Sequence, residues 1–291
     1  MNLVVDKDQH GWTLLAFLKE NCKEGLSANK LKKLIESKNC KVNGKVQIFA
    51  SYLLMQGDKV DITLGIDPEK LSFIFQDEFF AVINKPPGLV SENAMIVKAI
   101  GDKAKSWKIA HRLDKETSGL LLLAKNLKAE EAARALFSKR EIEKYYLAIV
   151  DGKVKDKFGV IDYQLAKVGE SQGQTQYGKV EQGGLRAITH YQVLEYGKDS
   201  SLILCDLKTG RTHQIRVHLS EKGHPLLGDL QYGKKTFKCS YQSARHLLHA
   251  RMLKFTHPFT LKKIELIAPL PEDFQKALVD LQISQAKVKN I

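Results

Sequence analysis

Residues 111–119 read H-R-L-D-K-E-T-S-G. The stretch sets a guanidinium (Arg112), a carboxylate (Asp114), two hydroxyls (Thr117, Ser118) and a glycine (Gly119) in one short loop. A basic approach, A-K-S-W-K-I-A, precedes it, and the run L-L-L-L-A follows. An unbroken apolar run of that length predicts a buried strand. A loop held by a rigid strand is a common way to display a reactive group. Taken alone, R-x-D is better read as a tight turn with a solvated capping Asp, so the rest of the chain has to decide.

With 291 residues, the chain suggests one large domain plus a small one, or two medium ones. Its 43% hydrophobic content is ordinary for a globular protein with a sizeable core. Lys and Arg total 46 against 33 Asp and Glu, a formal charge of +13. A surplus of that size makes a polyanion the first partner to consider, because neutralised phosphates release counterions. An anionic membrane surface is the alternative, but no long basic amphipathic helix stands out. No apolar run approaches the roughly 20 residues of a membrane span. The start, M-N-L-V-V-D-K-D, carries acids where an export signal needs a basic and then an apolar segment, so a cytoplasmic location is expected. Cys22, Cys40, Cys205 and Cys239 form no C-x-x-C pair and are expected as free thiols.

Residues 1–65 look like a separate small module. Trp12, Leu15, Leu18 and Cys22 recur at helical spacing and predict a helix over residues 12–21, broken at Gly25. Ser27 can cap a second helix with Leu31, Leu34 and Ile35 inward and Lys30, Lys32 and Lys33 on or near the outer side. Asn43-Gly44 in K-V-N-G-K-V suits a type I′ hairpin, and V-D-I-T-L alternates as a strand. A polar link with Pro68 leads to the second domain, residues 72–291. There, S-F-I-F and F-A-V-I-N predict strands, and K-P-P-G at 85–88 fixes a sharp turn. Ala129, Ala133, Leu136 and Phe137 give a helical apolar face, and E-K-Y-Y-L-A-I-V predicts a strand. Residues 151–187 lack periodicity and predict loops and short edge strands. T-G-R-T-H-Q-I-R-V-H then opens a helix near Arg211 or Thr212 that ends at Gly223, with Ile215 and Leu219 inward. The last residues, A-K-V-K-N-I, are expected to fray.

Several of these stretches together resemble the RluA-type pseudouridine synthases: K-P-P-G, H-R-L-D-K-E-T-S-G, K-Y-Y-L-A, T-G-R-T-H-Q-I-R-V-H and H-L-L-H-A-R-M-L-K-F-T-H-P. L-S-A-N-K-L-K-K-L-I-E, V-N-G-K-V and G-D-K-V resemble the RNA-binding module named after ribosomal protein S-four. The match departs after K-P-P-G, where S-E-N-A replaces a His-containing continuation; this reads as a changed RNA-facing loop. The resemblance implies an α+β catalytic domain on a mixed, mostly antiparallel sheet, joined to a small N-terminal α/β RNA-binding module. It also implies the isomerisation of uridine to pseudouridine, in which the bond from ribose to uracil N1 breaks and the base rejoins through C5.

On that resemblance Asp114 is the essential residue, Arg216 its partner, Tyr146 the flat surface under the target base, and Arg112 the side chain that fills the vacated stack. Lys30, Lys32, Lys33 and Lys85 would meet RNA. For a strand tyrosine the plain alternative is core packing, and for the lysines a solvated face. The reaction oxidises nothing and releases nothing, so no cofactor or metal is expected. H-x-x-x-x-H at His213 and His218 and H-x-x-H at His246 and His249 read as structural rather than as zinc sites. A monomer acting on ribosomal RNA is expected, with transfer RNA as the other possible substrate. A non-catalytic RNA chaperone would predict a damaged H-R-L-D stretch. A metal-dependent hydrolase would predict clustered carboxylates.

Overall fold

The protein was analysed as a computed structural model that describes residues 2–22, 26–36, 39–62, 71–171, 174–233 and 238–289. It divides into two compact units, Met1–Asp67 and Pro68–Ile291.

In the first unit, α1 (Leu14–Asn21) and α2 (Ala28–Glu36) accompany a sheet of β1 (Asn2–Val4), β2 (Cys40–Val42), β3 (Lys45–Val46) and β4 (Lys59–Ile62). The strand order is β1-β4-β2-β3. Asn43 and Gly44 both take positive φ, 50° and 79°, as a type I′ hairpin requires. Leu31, Leu34 and Ile35 are buried as their spacing predicts. Of the stripe expected for α1, Leu18 and Cys22 are buried and Leu15 packs partly against the core, but Trp12 does not join them. Leu14, Phe17 and Leu18 are buried, whereas Trp12 is exposed before the helix begins. Thr13 caps the helix, its hydroxyl accepting from Ala16 N at 3.2 Å, so the helix begins two residues after Trp12. The break at Gly25 and the link around Pro68 lie outside the described residues.

The second unit is built on one sheet. Its strands are β5 (Phe73–Gln76), β6 (Phe80–Lys85), β7 (Lys108–Ile109), β8 (Ser118–Ala124), β9 (Glu143–Asp151), β10 (Phe158–Ser171), β11 (Gln174–Val180), β12 (Leu185–Gly197), β13 (Ser200–Leu207), β14 (Leu248–Thr256) and β15 (Lys263–Ile267). They run in the order β11-β10-β12-β13-β9-β14-β8-β6-β5, with β15 on β14 and β7 on β8. The β8–β14 pair is parallel, through Ser118 and Gly119 against His249 and Ala250, and the other pairings are antiparallel. The sheet is therefore mixed and mostly antiparallel. Every residue of β8 is buried, which accounts for the unbroken L-L-L-L-A.

The helices of this unit are α3 (Asn93–Ile100), α4 (Leu127–Ser138), α5 (Gln214–Glu221), α6 (Glu272–Asp280) and α7 (Ala286–Lys289). Three expectations are corrected here. S-E-N-A opens a helix rather than a loop, because Ile96 and Ala99 fall on one buried face of α3. Residues 151–187 hold the long strand β10, paired on both sides, beside β11, which is the expected short edge strand, so it is the expected loops that give way to strand. Along β10, Ile161 and Leu165 face inward while Phe158 and Val160 face outward, so apolar residues occupy both faces, the sequence shows no apolar–polar alternation, and cross-strand pairing defines the strand. The tail is not wholly frayed: Val288 is buried in α7, and its carbonyl accepts from Arg251 Nη2 at 3.1 Å. All four cysteines are buried thiols outside any disulfide.

Candidate active site

The Asp114 loop is held from both sides. Leu113 N donates to Ser91 Oγ at 3.1 Å, and the Ser91 hydroxyl donates to Leu113 O at 2.8 Å. Gly88 N donates to Lys115 O at 2.9 Å, and Thr117 N to Asp114 O at 3.0 Å. Arg245 Nη1 donates to Glu116 O at 2.8 Å while Nε grips Asp273 of α6 at 2.6 Å. Thr117 Oγ1 bonds His246 Nε2 at 2.9 Å, and Ser118 Oγ bonds His249 Nδ1 at 3.0 Å. At Gly119 (φ 112°) a β carbon would sit 2.2 Å from Ala250 O, so only glycine lets β8 lie this close to β14. These contacts leave the Asp114 side chain partly open, 23% exposed.

Arg216 reaches that carboxylate from α5. Its Nη1 lies 3.4 Å from Asp114 Oδ2. Its tighter partner is Asp229, which takes Nε at 2.7 Å and Nη2 at 2.9 Å, while Gln231 Oε1 takes Nη2 at 2.9 Å. The guanidinium also lies over the Tyr232 ring, 4.9 Å from its centroid. Burial works against both charges, yet their mutual hydrogen bonds prevail: Arg216 is raised above and Asp229 held below its ordinary pKa. Sequence reasoning assigned Asp229 no role. The signal was the G-D of L-L-G-D-L-Q-Y-G, where Gly228 passes so near Arg245 O that a β carbon would stand 2.0 Å from it.

The start of α5 is later than predicted. T-G-R-T first closes a hydrogen-bonded loop in which Gln214 Oε1 accepts from Thr209 Oγ1 at 2.7 Å and Arg211 N at 3.0 Å. Ile215 and Leu219 are buried, but so are the other residues from Gln214 to Leu219, so the helix is enclosed rather than striped.

The remaining predicted residues fall into three groups. Tyr146 on β9 is buried, and burial together with the charge of Asp114 pushes its phenol up; it lies near the carboxylate. Arg112 is exposed, close enough to His213 for its charge to be felt there. Lys85 does not face RNA. It is fully buried, and its Nζ donates to Pro86 O at 3.0 Å, Leu89 O at 2.9 Å and Lys115 O at 3.0 Å. All three of its N–H groups are thus committed to carbonyls beneath the loop, and burial lowers its pKa to about 7. In the first unit Lys32 is exposed and pairs with Glu36 at 4.0 Å. The side chains of Lys30 and Lys33 lie outside the described residues.

His246 and His249 bind the loop hydroxyls named above, His213 Nδ1 is 2.7 Å from Tyr232 Oη, and His218 packs on Tyr163 at 4.6 Å between centroids.

A family model described as RNA pseudouridylate synthase matches residues 80–221. The RNA pseudouridine synthase YlyB of Bacillus subtilis is 35% identical over 265 residues, 83% of this chain and 85% of that one. The chain belongs to the RluA-type RNA pseudouridine synthase family. Ribosomal large subunit pseudouridine synthase D of Zymomonas mobilis is 40% identical over 237 residues, 74% of each chain. Synthase C of the same description from Vibrio vulnificus is 31% identical over 97% of this chain and 96% of that one. Among solved structures, human RNA pseudouridylate synthase domain containing 1 is similar with a TM-score of 0.62 and 26% identity, covering 75% of this chain and 96% of its own. This synthase is an isomerase, and its matched segment contains Asp114, Tyr146 and Arg216. No helix among the described residues is long and apolar enough to cross a membrane.

Proposed function

We propose that the enzyme isomerises uridines of large-subunit ribosomal RNA, with Asp114 as the reacting carboxylate. The observation that carries this reading is the 3.4 Å approach of Arg216 to a partly open Asp114, with Arg216 itself locked on buried Asp229. A guanidinium so anchored holds the neighbouring carboxylate in one orientation and does not swing away to satisfy itself elsewhere. A detached uracil trapped beside a single acid needs no activated water, unlike the paired carboxylates of glycoside hydrolysis.

The target uridine has to leave its stack, at a cost of a few kcal/mol. Exposed Arg112, two residues before Asp114, is placed to fill the gap, and Tyr146 offers a flat face to the base. The relatives named as large-subunit ribosomal synthases support ribosomal RNA over transfer RNA. The first unit, with Lys32 exposed on α2, serves as an RNA-binding module that positions substrate through phosphates. The catalytic domain is residues 72–291, and the protein works as a cytoplasmic monomer.

Asp114→Ala is expected to bind RNA with unchanged affinity and to form no pseudouridine, because it removes the reactive group and leaves the basic surface intact. Isomerisation at the parental rate by that variant would overturn the assignment. Mapping pseudouridines in ribosomal and transfer RNA of cells lacking the protein identifies the substrate; loss confined to transfer RNA would refute the ribosomal reading.

A further inference from the structure

His213 immediately precedes α5 in a backbone conformation that the helix does not demand. Its φ is 56° and ψ 18°, in the left-handed region, and its side chain makes no cap hydrogen bond. A helix N-cap is ordinarily an extended Ser, Thr, Asp or Asn whose oxygen accepts from the first turn. The residue is therefore strained and contributes nothing to the cap, a combination that occurs where a side chain is being aimed at something else.

The ring is held by a chain of polarised groups. Tyr177 N donates to Tyr232 Oη at 3.1 Å, and Tyr232 Oη lies 2.7 Å from His213 Nδ1. Tyr232 Oη, already accepting from Tyr177, is placed to donate its O–H to Nδ1, the arrangement in which the imidazole proton sits on Nε2. Tyr177 and Tyr232 both meet the ring edge-to-face, at 5.6 Å between centroids. Burial lowers the pKa of His213, which favours the neutral ring. Nε2 has no hydrogen-bond partner among the described residues, and it is not among the buried unpartnered atoms, so it opens to solvent. The Tyr232 ring also carries the Arg216 guanidinium, which contacts Asp114. One aromatic ring thus joins His213 to the pair proposed above as the reacting centre.

We propose that His213 reads the substrate: its Nε2–H donates a hydrogen bond to an oxygen of the everted uridine nucleotide, either a uracil carbonyl or the adjoining phosphate. The inference rests on the assignment of Asp114 as the reacting group. A neutral N–H donor held in one tautomer discriminates an oxygen acceptor from an amino group or a hydrogen.

The test uses the full-length enzyme with saturating RNA under single-turnover conditions. His213→Gly relieves the backbone strain and removes the ring; His213→Asn tolerates the left-handed conformation and keeps an N–H donor. The glycine variant is expected to isomerise about 10- to 100-fold more slowly, the range set by one lost buried hydrogen bond, with RNA affinity unchanged and the fold intact at the assay temperature. His213→Asn is expected to recover part of the rate, and added imidazole part of the glycine variant's loss. Replacing one oxygen of the target by sulfur, as 2-thiouridine, 4-thiouridine or a phosphorothioate, identifies the acceptor. The substitution at the atom read by His213 slows the parent enzyme and costs the glycine variant nothing further.

A glycine variant at full rate overturns the proposal, as do sulfur effects that remain fully additive at all three oxygens. A loss carried wholly by RNA affinity or stability also overturns it. Activity of Asp114→Ala would instead refute the underlying site assignment, while an inactive Asp114→Ala beside a fully active His213→Gly removes only this inference.

Discussion

At Arg216 two carboxylates share one guanidinium on unequal terms. Asp229 is buried and takes two short bonds, whereas Asp114 is partly open and takes one long contact. Asp229→Ala should therefore cost about 3–5 kcal/mol in urea unfolding, because it strands a buried cation. It should also depress isomerisation by freeing Arg216 from its anchor. An unchanged unfolding midpoint would show that the pair contributes nothing. The buried histidines make a second prediction at this scale. Burial lowers His111, His246 and His249 each to about 3 and His218 to about 4, against about 6.5 in an unfolded chain. Between those values the unfolded state binds more protons than the native state. Stability is thus full above pH 6.5 and falls as pH drops toward 3, by about 1 kcal/mol per ring at pH 5.5. Unfolding midpoints measured from pH 7.5 to 5 check it; a flat profile would mean the rings are protonated in the fold.

Among the elements, β8 and β14 matter most, because their parallel contact carries the Asp114 loop. Gly119→Ala drives a β carbon into the Ala250 carbonyl, at 2.2 Å, from a backbone φ of 112°. The expected loss exceeds about 3 kcal/mol, read by calorimetry, since neither neighbouring strand can shift without breaking the sheet. The α6 contact is gentler. Asp273→Asn weakens the hold on Arg245, which also grips Glu116 O and Ser118 Oγ of the loop. Its turnover should fall several-fold while RNA affinity stays constant. Hydrogen exchange at Lys115 to Ser118 would register the loosening.

For the whole molecule, each unit has its own core: Leu14, Phe17, Leu31 and Val60 in one, and Leu122, Leu147, Phe274 and their neighbours in the other. Residues 72–291 are expected to fold alone and retain the isomerisation chemistry. Removing residues 1–65 should weaken RNA binding and flatten its dependence on salt, in proportion to the phosphates no longer neutralised. A salt slope identical to that of the full chain would contradict a role for the module in RNA binding.

The sequence by itself determined the elements whose cause is local. L-L-L-L-A makes β8 because each residue is apolar, Asn43-Gly44 makes the hairpin because both accept positive φ, and H-R-L-D with T-G-R-T-H-Q-I-R-V-H marks the family through contiguous residues. What depends on residues far apart in the chain was decided only by the tertiary structure. The motif lysine at position 85 is buried under carbonyls contributed partly by Lys115, and Asp229, not Asp114, is the tighter partner of Arg216. β10 and β11 exist by mutual pairing, with little apolar pattern of their own. The physical reason is common to all three: periodicity records which face a residue turns inward, whereas a hydrogen-bond partner is chosen by what the rest of the fold delivers to that spot.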